Sequence, residues 1–169
     1  MNTDRRHIVV GVVAGQPPAV LEQAAYFARQ FDADLICGTV DANRYVVEEK
    51  EDGTIVSLSI NPDLVDLREE TLDPRVEEEI TRGLAGSKVD WSAWALAGDP
   101  AEALAHLADR YDAILILVGT RKSGVRRSVY EFFNGSVGAR LAHRQHRPVV
   151  IIPLSPVSHN SELPWASDS

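Results

Sequence analysis

The sequence predicts an α/β protein whose core is a five-stranded parallel sheet with helices on both faces. Short runs rich in β-branched residues recur along the chain, and segments with apolar residues at helical spacing separate them. The run "AILILVG" at 113–119 is almost wholly apolar, as is typical of a strand buried on both faces. Strands that alternate with helices in this way favour a parallel sheet.

A chain of 169 residues is most simply one domain. We place it at 1–154 and expect the serine- and proline-containing tail, 155–169, to be disordered.

The first two strands and the helix between them are predicted from residues 7–40. "HIVVGVV" (7–13) has the composition of a buried strand, and the glycine and two prolines after it indicate a turn. The segment 17–31 then places its apolar residues at the spacing of an amphipathic helix. "ADLICGTV" (33–40) is predicted to be the second strand, in which Cys37 is a core residue.

The stretch 44–60 predicts a β-hairpin inserted after the second strand. Two β-like runs flank Asp52-Gly53, a dipeptide favoured in tight hairpin turns. The segment "VVEEKED" is too charged for a central strand, and a tight turn cannot make a parallel crossover. We therefore expect the hairpin outside the main sheet, where it either covers a ligand cleft or extends a dimer surface.

The second half of the chain supplies the remaining helices. Asp73 followed by proline predicts a helix N-terminus, and Asp99 followed by proline and Glu102 predicts another, in a variant of the capping box. After the central strand at 113–119, "SVGARLAHRQH" predicts a short last helix.

Two further strands are predicted from the second half of the chain. "KVDWSAWAL" alternates apolar with more polar residues, which favours a strand near an edge and puts Trp91 and Trp94 on opposite faces. The last strand is predicted at 148–153, "PVVIIP".

The charge of the chain is unevenly distributed. The net charge is −8, yet residues 119–147 contain seven basic residues and one acid. An acidic protein repels nucleic acid and anionic membranes, so we expect neither as a partner, whereas the local basic excess suits a small anion. The alternative is that these residues form only a solvated basic face.

Targeting features are not evident in the sequence. No apolar run approaches the ~18 residues of a membrane span, and the N-terminus lacks the small-residue cleavage site of a signal peptide. The single cysteine, Cys37, cannot form an internal disulfide, which agrees with a reducing compartment. We expect a cytoplasmic protein.

Residues 119–136 are the candidate ligand site. Gly119 closes the most apolar strand, and ligands of parallel sheets bind at the carboxyl ends of strands. Glycines let backbone N–H groups face a ligand, and Ser136 precedes a helix whose N-terminus favours an anion. Ser136 serves equally well as an N-cap. The segment is therefore either an anion-binding loop or a long basic connection between a strand and a helix.

Several segments resemble the universal stress protein family, and the resemblance extends over about 150 of the 169 residues. They are "HIVVGVV", "AGDPAEAL", "AILILVGTR" and "NGSVGARLAHRQHRPVVIIP", of which the last is the most specific. The resemblance implies a five-stranded sheet in the order 3-2-1-4-5 and homodimers paired through the last strand, 148–153. One branch of the family binds ATP, so the resemblance also implies ATP as a candidate ligand.

The loop departs from the pattern of the ATP-binding branch at two places. That pattern runs glycine, two residues, glycine, nine residues, glycine and then serine or threonine. Gly119 and Gly135-Ser136 match it, but Lys122 stands at the second glycine position. Fifteen residues separate the outer glycines where the pattern has twelve, which makes Gly124 the displaced second glycine of a longer loop.

A second departure lies at the end of the first strand, where Val13 occupies the position at which the family's ATP binders tend to carry an aspartate. Val40 and Asp41 match the family's adenine and ribose region. Asp41 either accepts a hydrogen bond from a ribose hydroxyl or is only an exposed acid at a strand end. The four basic residues after Gly119 would add charge-assisted contacts to phosphate oxygens. The predicted nucleotide-site residues are Val13, Val40, Asp41, Gly119, Thr120, Arg121, Lys122, Gly124, Arg126, Arg127, Gly135, Ser136 and Val137.

Two functions follow from these observations. The first is a stress-response protein that binds ATP or another adenine nucleotide as a regulatory ligand and is at most a slow ATPase. The second is a dimeric interaction protein of the same fold, with a degenerate loop and an unidentified protein partner. Val13 and Lys122 favour the second, and the matching glycines with the basic loop favour the first. No metal site is expected, since His143 and His146 have no third ligand near them in sequence.

Overall fold

The structure is a computed structural model that describes residues 5–120 and 135–154. In chain order the strands are β1 (Arg6–Gly11), β2 (Ala33–Asp41), β3 (Arg44–Glu49), β4 (Ile55–Ser59), β5 (Leu67–Glu69), β6 (Trp91–Ala97), β7 (Leu115–Gly119) and β8 (Val149–Ile152). The helices are α1 (Ala19–Phe31), α2 (Pro74–Leu84), α3 (Pro100–Arg110) and α4 (Gly135–Arg144).

The main sheet contains five parallel strands in the order β6-β2-β1-β7-β8. β1 lies at its centre, with Ile8 in register with Leu35 of β2 on one side and with Leu115 of β7 on the other. Counting only the strands of this sheet, the order is 3-2-1-4-5, which confirms the predicted fold. β6 and β8 are the edge strands. The alternating pattern predicted this place for β6, and the strand order implied by the family resemblance predicted it for β8.

The core has two layers because successive residues of a parallel strand face opposite sides of the sheet. Ile8 and Val10 pack with α1 and α2 on one face, while Val9 packs with α3 and α4 on the other. Cys37 is buried in the first layer, and burial raises the pKa of its thiol to about 12. Trp91 and Trp94 contact opposite layers, as their spacing predicted.

Both predicted aspartate caps are present. The Asp73 carboxylate accepts a hydrogen bond from the Arg75 N–H at 2.9 Å, and Asp99 accepts from the N–H groups of Ala101 and Glu102, both at 3.1 Å. Each cap precedes a proline at the first helical position, where a missing N–H costs nothing. The aspartates fix where α2 and α3 begin, close to the carboxyl edge of the main sheet.

Residues 44–69 form a separate antiparallel sheet in the order β3-β4-β5, called here the small sheet. This confirms that the hairpin near 44–60 lies outside the main sheet. The turn is wider than Asp52-Gly53 alone: Gly53 donates to the Lys50 carbonyl at 2.9 Å and adopts a φ of 89° as the last residue of that turn. β5 was not predicted, because its three residues are all exposed and carry no apolar pattern.

Arg44 holds the buried side of the small sheet together. Its Nε lies 2.6 Å from the Ser57 hydroxyl and 3.0 Å from the Glu70 carboxylate, and Nη1 donates to Asp66 at 2.9 Å. The side chains of Arg44 and Glu70 are only 5% and 6% exposed. A buried ion pair of this kind is compensated only while all its partners remain in place.

A second set of contacts fixes the small sheet beside α3. Glu49, at the end of β3, lies 2.7 Å from Nε2 of His106 and accepts from Arg110 at 3.1 Å. The Arg110 guanidinium also lies 4.8 Å from the ring centroid of Trp94 on β6.

Within residues 5–120 and 135–154, none of the helices combines the length and the apolar character that a membrane crossing requires.

Arg44→Met tests the role of this network in stability. We expect the free energy of unfolding to fall by about 3 kcal/mol, because the variant leaves the Glu70 carboxylate buried without its main partner. Urea denaturation measures the loss, and amide exchange at Ile55 and Ser57 should accelerate. The double variant with Glu70→Gln should be less destabilised than the sum of the two single variants. A loss below about 1 kcal/mol for Arg44→Met would show that the network contributes little.

Candidate functional site

A cavity of about 590 Å³ opens at the carboxyl edge of the main sheet. Its described walls come from the ends of β1, β2 and β6, the first turns of α2 and α3, one residue of α4, and β5 with the segment after it. Within the sheet, β1 pairs with β2 along one of its edges and with β7 along the other, and the chain leaves β1 toward β2. Helices therefore diverge to the two faces at β1, and this reversal of strand order is where parallel sheets open a ligand cleft.

One part of the cavity wall is apolar. Val12 and Val13 follow β1, and Val40 and Leu96 contribute from the ends of β2 and β6. The turn after β1 is held by the Val13 N–H, which donates to the Gln16 side chain at 3.2 Å. Apolar surfaces at two neighbouring strand ends suit a flat ring system.

The polar part of the wall centres on Asp41 at the end of β2. One of its carboxylate oxygens accepts from the Asn43 N–H at 2.9 Å, and the other lies 3.3 Å from Nη2 of Arg68 on β5. Arg68 also lies 3.4 Å from Glu70, which belongs to the Arg44 network. A chain of charged contacts thus runs from the buried side of the small sheet to the cavity.

The charged residues of the described wall are nearly balanced. Three arginines line the cavity, and each faces an acid: Arg68 faces Asp41 and Glu70, Arg75 faces Asp73 at 2.7 Å, and Arg140 faces Asp99 at 2.5 Å. The four acids exceed the three bases by one charge. This wall therefore provides hydrogen-bonding groups without a surplus of positive charge.

Asp99 links α3 to α4 across the mouth of the cavity. Burial acts to raise the pKa of its carboxyl, but the hydrogen bonds from Arg140 and from the N–H groups of Glu102 and Ala101 outweigh it. The pKa of Asp99 therefore lies below its ordinary value. Asp99 is an anion near neutral pH, and it holds Arg140 at the cavity.

The structure brings Val13, Val40 and Asp41 together, and all three line the cavity. Val137 is instead buried in the core layer under α3 and α4. Gly135 and Ser136 are the first residues of α4.

Gly119 and Thr120 lie at the end of β7, beyond the described residues that line the cavity. A Cβ on Gly119 would come within 2.9 Å of Val20 and 3.0 Å of Leu154, so this glycine is required for packing. The Thr120 hydroxyl accepts from the Leu154 N–H at 2.8 Å and so joins the ends of β7 and β8. The remaining predicted residues, Arg121, Lys122, Gly124, Arg126 and Arg127, lie outside the described residues.

Sequence analysis missed several residues of the cavity wall. Asp99 was identified as a helix cap but not as a wall residue. A cap that directly follows the carboxyl end of a strand nevertheless lies at the edge of the sheet where ligands bind. Arg140 was recognised only as part of the basic stretch. Arg68 and Glu70 carried no local signal, because their place depends on the unpredicted strand β5. The wall residues that were not predicted include Arg68, Glu70, Asp73, Arg75, Leu96, Asp99 and Arg140.

Comparison with known protein families decides which family the chain represents. The model of the universal stress protein family matches residues 4–153. The chain belongs to the universal stress protein family. The strand order and the helices on both faces of the sheet agree with this assignment.

Solved structures of universal stress proteins share the fold at low sequence identity. A universal stress protein in complex with cAMP is 22% identical, with a TM-score of 0.57, covering 89% of this chain and 98% of that one. The Archaeoglobus fulgidus protein in complex with dAMP is 18% identical, with a TM-score of 0.53 and coverages of 87% and 97%. An Arabidopsis thaliana family member with AMP bound is 16% identical, with a TM-score of 0.53 and coverages of 89% and 92%. No curated protein matched the chain at significant similarity.

The charge on Asp99 has a consequence that pH can reveal. In Asp99→Asn the amide still caps α3, but the attraction to Arg140 is lost, so we expect a loss of about 0.5–1 kcal/mol in the free energy of unfolding at pH 7. The pKa of Asp99 is lower in the folded state than in the unfolded chain. The Asp99 carboxylate therefore stabilises the fold fully above the ordinary carboxyl pKa of about 4, and this stabilisation is lost as the pH falls through the lowered pKa. The difference between wild type and variant should therefore shrink below about pH 4.

Urea denaturation between pH 7 and pH 3 measures this difference. Glu51→Gln, which removes an exposed carboxylate from the hairpin turn, is the control and should change the stability little at either pH. An Asp99→Asn difference that stays constant down to pH 3 would contradict the assignment.

Proposed function

We propose that this universal stress protein binds an adenine nucleotide as a regulatory ligand in a stress response, with the nucleoside in the cavity at the carboxyl ends of β1, β2 and β6. The observation that carries the proposal is the pairing of apolar surfaces at Val13 and Val40 with the carboxylate of Asp41 at the strand-order reversal. Other solved members of the family support it, since they are complexes with cAMP, dAMP and AMP.

The cavity is suited to a nucleoside. Its volume of about 590 Å³ lies within the range of small-ligand sites. A purine ring would lie between the valines, and a ribose hydroxyl would donate to Asp41. Asp41 already accepts from Asn43 and faces Arg68, so its carboxylate is fixed in place before a ligand arrives.

The phosphate end of the ligand would lie toward α4. β7 and β8 are parallel, so the helix that connects them runs in the opposite direction and starts at the carboxyl edge. Free N–H groups at a helix N-terminus attract anions, and Gly135 and Ser136 begin this helix. The described cavity wall has no surplus of positive charge, so phosphate affinity depends on α4 and on the basic residues that follow Thr120 in sequence.

We further propose that the protein acts in the cytoplasm as a homodimer paired through β8. β8 is an edge strand of the main sheet, and Ile151 on it is 46% exposed. An edge strand with exposed apolar side chains favours pairing with another strand. The same feature supports the second candidate, a dimeric interaction protein that binds no nucleotide.

Isothermal titration calorimetry separates the two candidates. We expect adenosine, AMP, ADP and ATP to bind with dissociation constants below about 1 mM and GTP to bind more weakly. Val13→Trp should abolish binding because the indole fills the space beside Val40, whereas Val13→Asp should strengthen it by supplying an acceptor for the adenine amino group. No binding of any adenine ligand at millimolar concentration would leave the interaction protein as the function.

Two further variants control this experiment. Val65→Trp adds the same bulk at a 92% exposed position away from the described cavity wall and should bind as wild type does. Ser136→Ala should weaken ATP more than adenosine, since it affects only the phosphate end. Equal weakening of both ligands would contradict the proposed orientation.

A further inference from the structure

The exposed apolar side chains of the described residues are concentrated on one element. Of ten large hydrophobic residues with high exposure, seven lie between residues 45 and 67, in or beside the small sheet. Single exposed hydrophobic residues are ordinary, but a contiguous group on a monomer marks an interaction site.

The register of the small sheet shows how these residues are arranged. Tyr45, Leu58 and Leu67 are cross-strand neighbours and share one side of the sheet, called here the outer face. Tyr45 is 47% exposed and Leu67 61% exposed, whereas Ser57, which points the other way, is fully buried. The outer face therefore carries an apolar row across all three strands.

Acidic residues border this row. Glu48, Val56 and Glu69 form the next cross-strand row on the same face, two residues along β4 and β5 and three along β3, which has a bulge between Val46 and Glu48. Both glutamates are exposed, and Glu69 also pairs with Lys50 at the end of the hairpin. Residues 41–73 contain ten acidic and three basic residues, so this segment carries most of the net charge of the chain.

The outer face is held in a fixed shape by contacts on the opposite side. Arg44 joins Ser57, Asp66 and Glu70 beneath it. The connection from β4 to β5 is also ordered, because the Leu64 N–H donates to the Asn61 carbonyl at 3.1 Å. Leu64 and Val65 of this connection are exposed and closely precede Leu67 in sequence, so the exposed apolar residues belong to an ordered element.

We propose that the outer face of the small sheet binds a basic amphipathic helix of a partner protein. Apolar residues of that helix pack on Tyr45, Leu58 and Leu67, and its arginines or lysines pair with Glu48 and Glu69. A helix that lies across the strands presents an apolar stripe to one row and a basic flank to the other.

Charge decides among the possible occupants. A second copy that docked by the same face would bring the Glu48 and Glu69 row of one chain close to that of the other, which is repulsive. The tail of this chain, 155–169, contains two acidic residues and no lysine or arginine, so it lacks the complementary charge. An anionic membrane is disfavoured for the same reason.

The test uses a labelled helical peptide of about 18 residues with a leucine stripe flanked by arginines. Fluorescence anisotropy measures its affinity for the full-length protein, and amide chemical-shift mapping on the wild type locates the contact. We expect shifts at Tyr45, Leu58 and Leu67. The double variant Tyr45→Ser/Leu67→Ser should weaken binding at least about tenfold, and Glu48→Gln/Glu69→Gln should weaken it and reduce its salt dependence.

Matched controls make each result decisive. Tyr26→Ser removes a 49% exposed tyrosine from α1 and should leave the affinity unchanged. A peptide with glutamates in place of the arginines should not bind. The proposal is wrong if the basic peptide fails to bind, if both peptides bind alike, or if the shifts map elsewhere. Self-association that the Tyr45→Ser/Leu67→Ser variant abolishes would show that a second copy covers the face, and would also overturn it.

Discussion

The central position of β1 between β2 and β7 is the constraint on which the rest of the structure depends. Parallel strands need long crossover connections, and right-handed crossovers that proceed in opposite directions across the sheet place their helices on opposite faces. The chain therefore cannot cover the carboxyl end of β1 with either helical layer. The cavity beside Val13 and Val40 follows from this topology.

The small sheet is an insertion that contributes residues to the wall of this cavity. It is inserted between β2 and α2, directly after Asp41, so its position is tied to the cavity wall. Its buried side carries the Arg44 and Glu70 pair, which extends through Arg68 to Asp41. Its opposite side carries the exposed apolar row. One insertion thus supplies part of the proposed ligand wall and a separate candidate surface for a partner, and the same buried arginine supports both.

Much of the fold was predictable because its signals are local. Apolar runs marked the main-sheet strands, and Asp73 and Asp99 marked two helix starts through a side chain that bonds the nearby backbone. The hairpin was predicted from its turn and its charge. β5 was not, since three exposed residues gain their strand conformation only by pairing with β4.

The candidate site was predicted less completely, for a physical reason. Val13, Val40 and Asp41 end predicted strands, so topology alone brought them to one edge of the sheet. Arg68 and Arg140 each lie far in sequence from the acid that they face, and their positions are set by ion pairs with Asp41 and Asp99. Such pairs depend on the assembled fold and leave no periodic pattern in the chain.

A crystal structure of the protein soaked with AMP tests the central claim most directly. We expect electron density for the adenine ring between Val13 and Val40, with a ribose hydroxyl within hydrogen-bonding distance of Asp41 and the phosphate toward the first turn of α4. Density for AMP at another place, with this cavity filled only by solvent, would contradict the proposed nucleotide site.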